Sequence, residues 1–165
     1  MGLIDDLGSG AVACDTAVFI YFIEDHATYA PILAPLFRAA DRGARPMVTS
    51  ALTLLEVLVA PYRVGNLGLA ARYEALLTRG RGLRLVDLDR PQLRGAAQLR
   101  ALYALRTPDA LQLGAALSAG CSAFLTNDRR LPSLPSLRIL QLRDYVPPLP
   151  KSSPRAQRGG EGDRG

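Results

Sequence analysis

Short continuous apolar runs alternate along this chain with longer stretches in which apolar residues recur every third or fourth position. The first pattern marks buried strands and the second amphipathic helices. Ala11-Val12-Ala13-Cys14 reads as a first buried strand that ends at Asp15-Thr16. The run from Ala17 to Ile23 suits a turn of helix, or a continuation of the strand, because β-branched and aromatic residues are common in it. Residues 28–42 place Ile32, Leu33, Leu36, Phe37 and Ala40 on one helical stripe that closes near Gly43. Pro46 to Thr49 reads as a second strand. Ser50 then caps a helix over 51–60 with Leu52, Leu55 and Val59 on one face, Glu56 inside it and Pro61 at its end.

The alternation continues to the far end. A helix is expected over about 67–78, a less buried strand over 83–88 and a helix over 90–106. In the next helix, over 108–119, Thr107 is read as the cap, Pro108 as the first helical residue and Asp109 as an anion in the first turn. Behind Asp109 the residues from Ala110 to Leu117 are apolar nearly all round, the mark of a helix buried against neighbours. Residues 121–126 form a fourth strand delivering Asn127-Asp128, and 137–140 a last short one. Residues 1–10 carry no strong pattern. Strands alternating with helices in this way predict an α/β domain, a mostly parallel sheet of four or five strands with helices on both faces. The domain is expected over 1–146. From Pro147 the composition turns to Pro, Ser, Gly and Arg with almost no large apolar residue, so 147–165 is read as a disordered basic tail.

Composition narrows the setting. At 165 residues, 48 % hydrophobic and 21 % charged, the chain is sized and composed as one soluble domain. No apolar run approaches the roughly 20 residues that span a bilayer. The first ten residues carry Asp5 and Asp6 but no Lys or Arg, unlike a secretory leader, so a cytoplasmic protein is expected. Cys14 and Cys121 form no metal or redox spacing and are read as buried thiols. The net charge of +5 is mild and partly lies in the tail, which suits a polyanionic partner without requiring one.

Candidate chemistry lies in the acids. Asp15 and Asp128 each follow a strand, Asp109 opens a helix, and Glu56 sits on a helix that follows a strand. In a parallel sheet, sites form at the carboxyl ends of the strands, so four carboxylates from four separated segments are expected to meet there. Like charges brought together require a neutralising cation or protons. Oxygen-only ligands select Mg²⁺ or Mn²⁺ over zinc, for which the single His26 and two cysteines offer no site. Taken singly, each acid also has a purely structural reading: a turn or cap at Asp15-Thr16, a turn acid at Asp128, helix-end support at Asp109, a solvent-facing Glu56. Ser50 and Ser118 lack a base as nucleophiles, and neither Gly65-Asn66-Leu67-Gly68 nor Gly80-Arg81-Gly82 matches a phosphate loop. Arg129 and Arg130 are the best-placed phosphate contacts.

Four segments carry a family resemblance: Cys14-Asp15-Thr16-Ala17-Val18-Phe19-Ile20-Tyr21, Thr49-Ser50-Ala51-Leu52-Thr53-Leu54-Leu55-Glu56-Val57, Pro108-Asp109-Ala110-Leu111-Gln112-Leu113, and Phe124-Leu125-Thr126-Asn127-Asp128-Arg129-Arg130-Leu131. In this order and spacing the chain resembles the PIN-domain family, most closely the VapC-type toxins of toxin–antitoxin pairs. The resemblance implies an α/β/α sandwich and a Mg²⁺-dependent endoribonuclease, the toxin of a type II system. Asp15 and Asp109 would be the principal metal ligands, Asp128 a third and Glu56 the acid completing the cluster. Thr126 would orient Asp128 or the attacking water. It further implies RNA as substrate, a small antitoxin as partner and a homodimer. Ala17 departs from the family's common Asn, and Gln112 and Gly114 from its usual residues after Asp109, but no carboxylate is lost. The alternatives are a PIN-like module that binds RNA or protein without cutting, and a nuclease acting on structured DNA.

Overall fold

Five strands, β1 (Val12–Cys14), β2 (Met47–Ser50), β3 (Leu83–Val86), β4 (Ala123–Thr126) and β5 (Arg138–Gln141), form one sheet in the order β3-β2-β1-β4-β5. Every neighbouring pair is parallel. The computed structural model describes residues 2–148; most of the expected tail, from position 149, lies outside the described residues. α1 (Leu3–Asp6) precedes the sheet, and between the strands run α2 (Thr16–Ile23), α3 (Ala30–Asp41), α4 (Leu52–Arg63), α5 (Leu67–Arg79), α6 (Arg90–Tyr103) and α7 (Thr107–Ser118). A 3₁₀ turn, Leu142–Tyr145, follows β5.

The side-chain period of two along each strand divides the core into two layers. Val12, Cys14, Met47, Ala123 and Leu125 point to one face, where Val18 and Phe19 of α2, Leu33, Leu36 and Phe37 of α3, Val57 of α4 and Tyr73 and Leu77 of α5 cover them. Ala13, Val48 and Phe124 point to the other, under Ala96 of α6 and Ala110, Leu113 and Ala116 of α7. The three inner strands are buried throughout, as a sheet covered on both faces requires. The observed fold is therefore the parallel sheet with helices on both faces that the alternation predicts, and the α/β/α sandwich that the resemblance implies. Gly82, at φ +68°, feeds β3 past the end of α3. A Cβ there would lie 2.1 Å from the Ala40 carbonyl oxygen, so only glycine fits.

Several boundaries and faces differ from the sequence expectation. The run after Asp15 is a full helix of 8 residues, because Asp15 caps it and removes the option of extending β1. Residues 3–6 are helical, and Leu3 and Leu7 are buried against the first layer, a short contact too brief to show periodicity. In α4 the buried stripe is Thr53, Val57 and Pro61, whereas Leu55 and Val59 point outward at 62 % and 44 % exposure. Pro61 does not end that helix. The helix runs on to Arg63, although Pro61 has no N–H to donate to the Val57 carbonyl one turn back. At the start of α7 the cap position belongs to Arg106, with Thr107 already inside the helix and Pro108 one place later than expected.

Candidate active site

Strand order reverses at β1: the chain builds outward through β2 and β3, then returns past β1 to lay down β4 and β5 on its other side. Such a switch point leaves a crevice beyond the strand carboxyl ends. There Asp15, Thr16, Ala17, Glu56, Arg106, Pro108, Asp109, Gln112 and Asp128 line a cleft of about 290 Å³. All four expected acids are in that lining, each from a different segment.

Asp15 follows β1 directly and is the N-cap of α2, its Oδ1 accepting the Ala17 N–H at 3.1 Å. The register that pairs Cys14 with Leu125 sets Asp15 beside Thr126, whose hydroxyl donates to Asp15 Oδ2. The same Thr126 oxygen accepts the Asp128 N–H at 2.9 Å, so one buried hydroxyl joins two of the acids. Loss of water raises the Asp15 carboxyl from 3.8 to about 6, with the Thr126, Val18 and Ala17 hydrogen bonds opposing and the Asp128 charge adding to the rise. Glu56 is raised for the same first reason; a hydrogen bond from Thr16 opposes the rise and the charge of Asp109 adds to it.

Asp128 is shifted the other way. Arg130 grips it as a fork, Nε donating to Oδ1 at 2.9 Å and Nη2 to Oδ2 at 2.7 Å, and the Arg130 N–H adds a third bond to Oδ1. These contacts hold the Asp128 carboxyl at about 2. Arg106 reaches both remaining edges: Nε donates to Asp109 Oδ2 at 3.0 Å and Nη2 to Asp128 Oδ2 at 3.4 Å. Arg129, expected at the substrate, instead pairs with Asp144 at 3.4 Å and is not in the cleft lining.

A polar network that sequence reading missed supports the cleft floor. Gln112 Nε2 donates to Thr53 Oγ1 at 2.8 Å and to Thr16 Oγ1 at 3.4 Å, while its Oε1 accepts the Ser50 N–H at 3.3 Å. The Thr49 hydroxyl meets the Cys14 carbonyl and Thr53 Oγ1, each at 2.8 Å. Gln112, Thr49 and Thr53 are buried, so this set ties β1, β2, α4 and α7 together where water cannot substitute. The available signal was a lone Gln one turn after Asp109 on an otherwise apolar helix.

The donors are carboxylate oxygens without His or Cys, and two of the carboxyls carry raised values from crowding and desolvation, which suits a hard divalent cation. Among the described residues no three His, Cys, Asp or Glu side chains are gathered in ligand geometry. Arg106 and Arg130 take up oxygens of Asp109 and Asp128 instead.

The chain is thus a three-layer α/β/α sandwich with an acidic cleft at the switch point of its parallel sheet. The family model for the PIN domain matches residues 12–137, and the chain belongs to that family. Compared with curated proteins by sequence, it has no match. Among solved structures it resembles VapBC2 from Rickettsia felis, bound to a DNA fragment from the promoter, with a TM-score of 0.60 and 16 % identity over 79 % of this chain and 98 % of that one. A toxin–antitoxin complex from Klebsiella pneumoniae aligns with a TM-score of 0.58 and 17 % identity, over 77 % and 95 % of the two chains. DNA-bound VapBC from Salmonella typhimurium gives 0.56 and 22 %, over 81 % and 98 %. These likenesses concern the fold.

Proposed function

We propose that this protein is a Mg²⁺-dependent endoribonuclease, with Mn²⁺ as a substitute ion, and the toxin of a toxin–antitoxin pair. The observation that carries this is the convergence of Asp15, Glu56, Asp109 and Asp128 in one cleft at the switch point. Asp15 and Asp109 would hold the ion, with Asp128 as a third oxygen donor. When bound, the ion supplies Lewis acidity that activates water and offsets charge on the phosphodiester.

The chain's own groups have separate tasks. Thr126 holds Asp15 in orientation and keeps its hydroxyl hydrogen on Oδ2. Glu56, with its raised carboxyl at the cleft rim, takes a proton from the attacking water on a carboxylate oxygen. Gln112 keeps α7 in register with β2, and so keeps Asp109 at the cleft. Attack by water rather than by a ribose hydroxyl leaves 5′-phosphate and 3′-hydroxyl ends.

A protein partner is supported by the outer face of α4. Leu55, Val59 and Tyr62 share that face by helical spacing, with Val64 and Leu67 beyond, all exposed, and Glu56 beside them. We assign the face to a small antitoxin that covers the cleft, with a homodimer as the toxin's own assembly and the cytoplasm as its location. No helix of the described residues is long and apolar enough to cross a membrane. Incubation with labelled RNA, with Mg²⁺ against excess chelator, tests the activity, and co-purification with the product of an adjacent small reading frame tests the partner.

A further inference from the structure

Arg106 stands at the cap position of α7 without capping it. Its backbone is held by what precedes it: Ala104 turns the chain at φ +53°, and Leu105 is buried, with its carbonyl accepting Arg100 Nε at 2.9 Å. Its side chain is 58 % exposed and lies over the acids. One contact to Asp109 is short at 3.0 Å, while the second to Asp109, at 3.5 Å, and the one to Asp128, at 3.4 Å, are long. Exposed pairs of this kind hold weakly. Arg130 differs, since its fork on Asp128 is short at both prongs.

We propose that Arg106 is an internal counter-cation that competes with the divalent ion for Asp109 and Asp128 and, once displaced, binds a phosphate of the RNA strand. This rests on the metal-dependent reading above. A divalent ion brings two charges to the oxygens that Arg106 holds with one, so it displaces the guanidinium. Because the backbone is fixed on both sides of Arg106, the freed side chain stays at the cleft mouth. Its planar fork matches phosphate oxygens there. Neither neighbouring arginine is as well placed: Arg129 lies outside the cleft lining, beside Asp144, and Arg130 is committed to Asp128.

The test is Mn²⁺ titration by calorimetry, without RNA, on the wild-type protein and Arg106→Gln, followed by RNA cleavage at saturating Mn²⁺. The variant is expected to bind Mn²⁺ about threefold to tenfold more tightly. Its KM for an oligoribonucleotide is expected to rise about tenfold with little change in kcat, and the salt dependence of RNA binding to lose about one phosphate contact. Unchanged or weaker Mn²⁺ affinity in the variant, with binding intact in the wild type, overturns the competition while leaving the metal-dependent function standing. Tighter Mn²⁺ with an unchanged KM overturns the phosphate role. Absence of Mn²⁺ binding by both proteins overturns the metal reading and this one with it. If Arg106→Gln does not fold, Arg106→Met, which removes the charge and keeps a long unbranched side chain, is judged by the same outcomes.

Discussion

The Thr126 hydroxyl donates to Asp15 across the β1–β4 pair and accepts the Asp128 N–H on the same oxygen. One side chain thus keeps a buried carboxylate ionisable and fixes the turn that presents a second. Replacing it with valine keeps the shape and deletes both bonds. Thr126→Val is expected to lose about 1–3 kcal/mol of stability, from unpaired polar groups left under the cleft. It should also move the Asp15 carboxyl higher still, and carboxyl carbon NMR titration would follow that shift. A titration midpoint unchanged from wild type would show that the hydroxyl does not support the carboxylate.

Asp15 also sets a pH dependence. In the folded protein its carboxyl lies at about 6, above the 3.8 of the free side chain, so between those values the fold holds the proton more tightly than the unfolded chain does. Stability from this group therefore falls as pH rises from about 4 to about 6, and the full penalty, on the order of 3 kcal/mol, stands at neutral pH. Asp128 works in the opposite sense. Held at about 2, it contributes stability above 3.8 that is lost as pH falls toward 2. Asp15→Asn is accordingly expected to stabilise the protein at pH 7 by about 1–3 kcal/mol while abolishing cleavage. Thermal unfolding at pH 7 and pH 4.5 separates the cases, because the gain should shrink at the lower pH.

Gln112 is expected to matter for stability more than for chemistry. Its amide spends both ends on Thr53, Thr16 and the Ser50 N–H. Gln112→Leu would take the side-chain acceptor from the buried Ser50 N–H and one partner each from Thr53 and Thr16, and cost about 2–4 kcal/mol in denaturant unfolding. A loss under 0.5 kcal/mol would mean the network is not what ties α7 to β2.

Ala104 has a conformation that glycine adopts without penalty, φ +53° and ψ 38°. Ala104→Gly should stabilise by about 0.5–1 kcal/mol, the relief of the left-handed strain less the added freedom of the unfolded chain. A destabilised variant would point to a contact of the alanine methyl group outweighing that strain.

The outer face of α4 gives a test of the partner. Leu55→Glu with Tyr62→Ser changes two residues that are 62 % and 55 % exposed, so folding and RNA cleavage should be little affected. Inhibition by the antitoxin should weaken by at least tenfold. Undiminished inhibition would move the docking surface elsewhere.

The alternation of apolar runs and helical stripes was enough to read the parallel sheet, since each inner strand is buried on both faces and shows as a continuous apolar run. The positions of Asp15 and Asp128 were legible because they stand directly after such runs. The outward face of α4 was not. Thr53, Val57 and Pro61 form its buried stripe because Thr53 has partners in Thr49 and Gln112, which no periodicity of apolar residues reveals. Arg106 was passed over for a related reason. Its role depends on two acids 3 and 22 residues further along the chain being brought to one guanidinium, a long-range fact of topology.

The most direct measurement is cleavage of end-labelled RNA by the purified protein in Mg²⁺, compared with Asp15→Asn and Asp109→Asn and with excess chelator. The account predicts products with 5′-phosphate and 3′-hydroxyl ends, complete loss in chelator and at least a hundredfold loss in each variant, about 2.7 kcal/mol or more of transition-state stabilisation. Cleavage that persists in chelator, or that both variants perform at the wild-type rate, would contradict it.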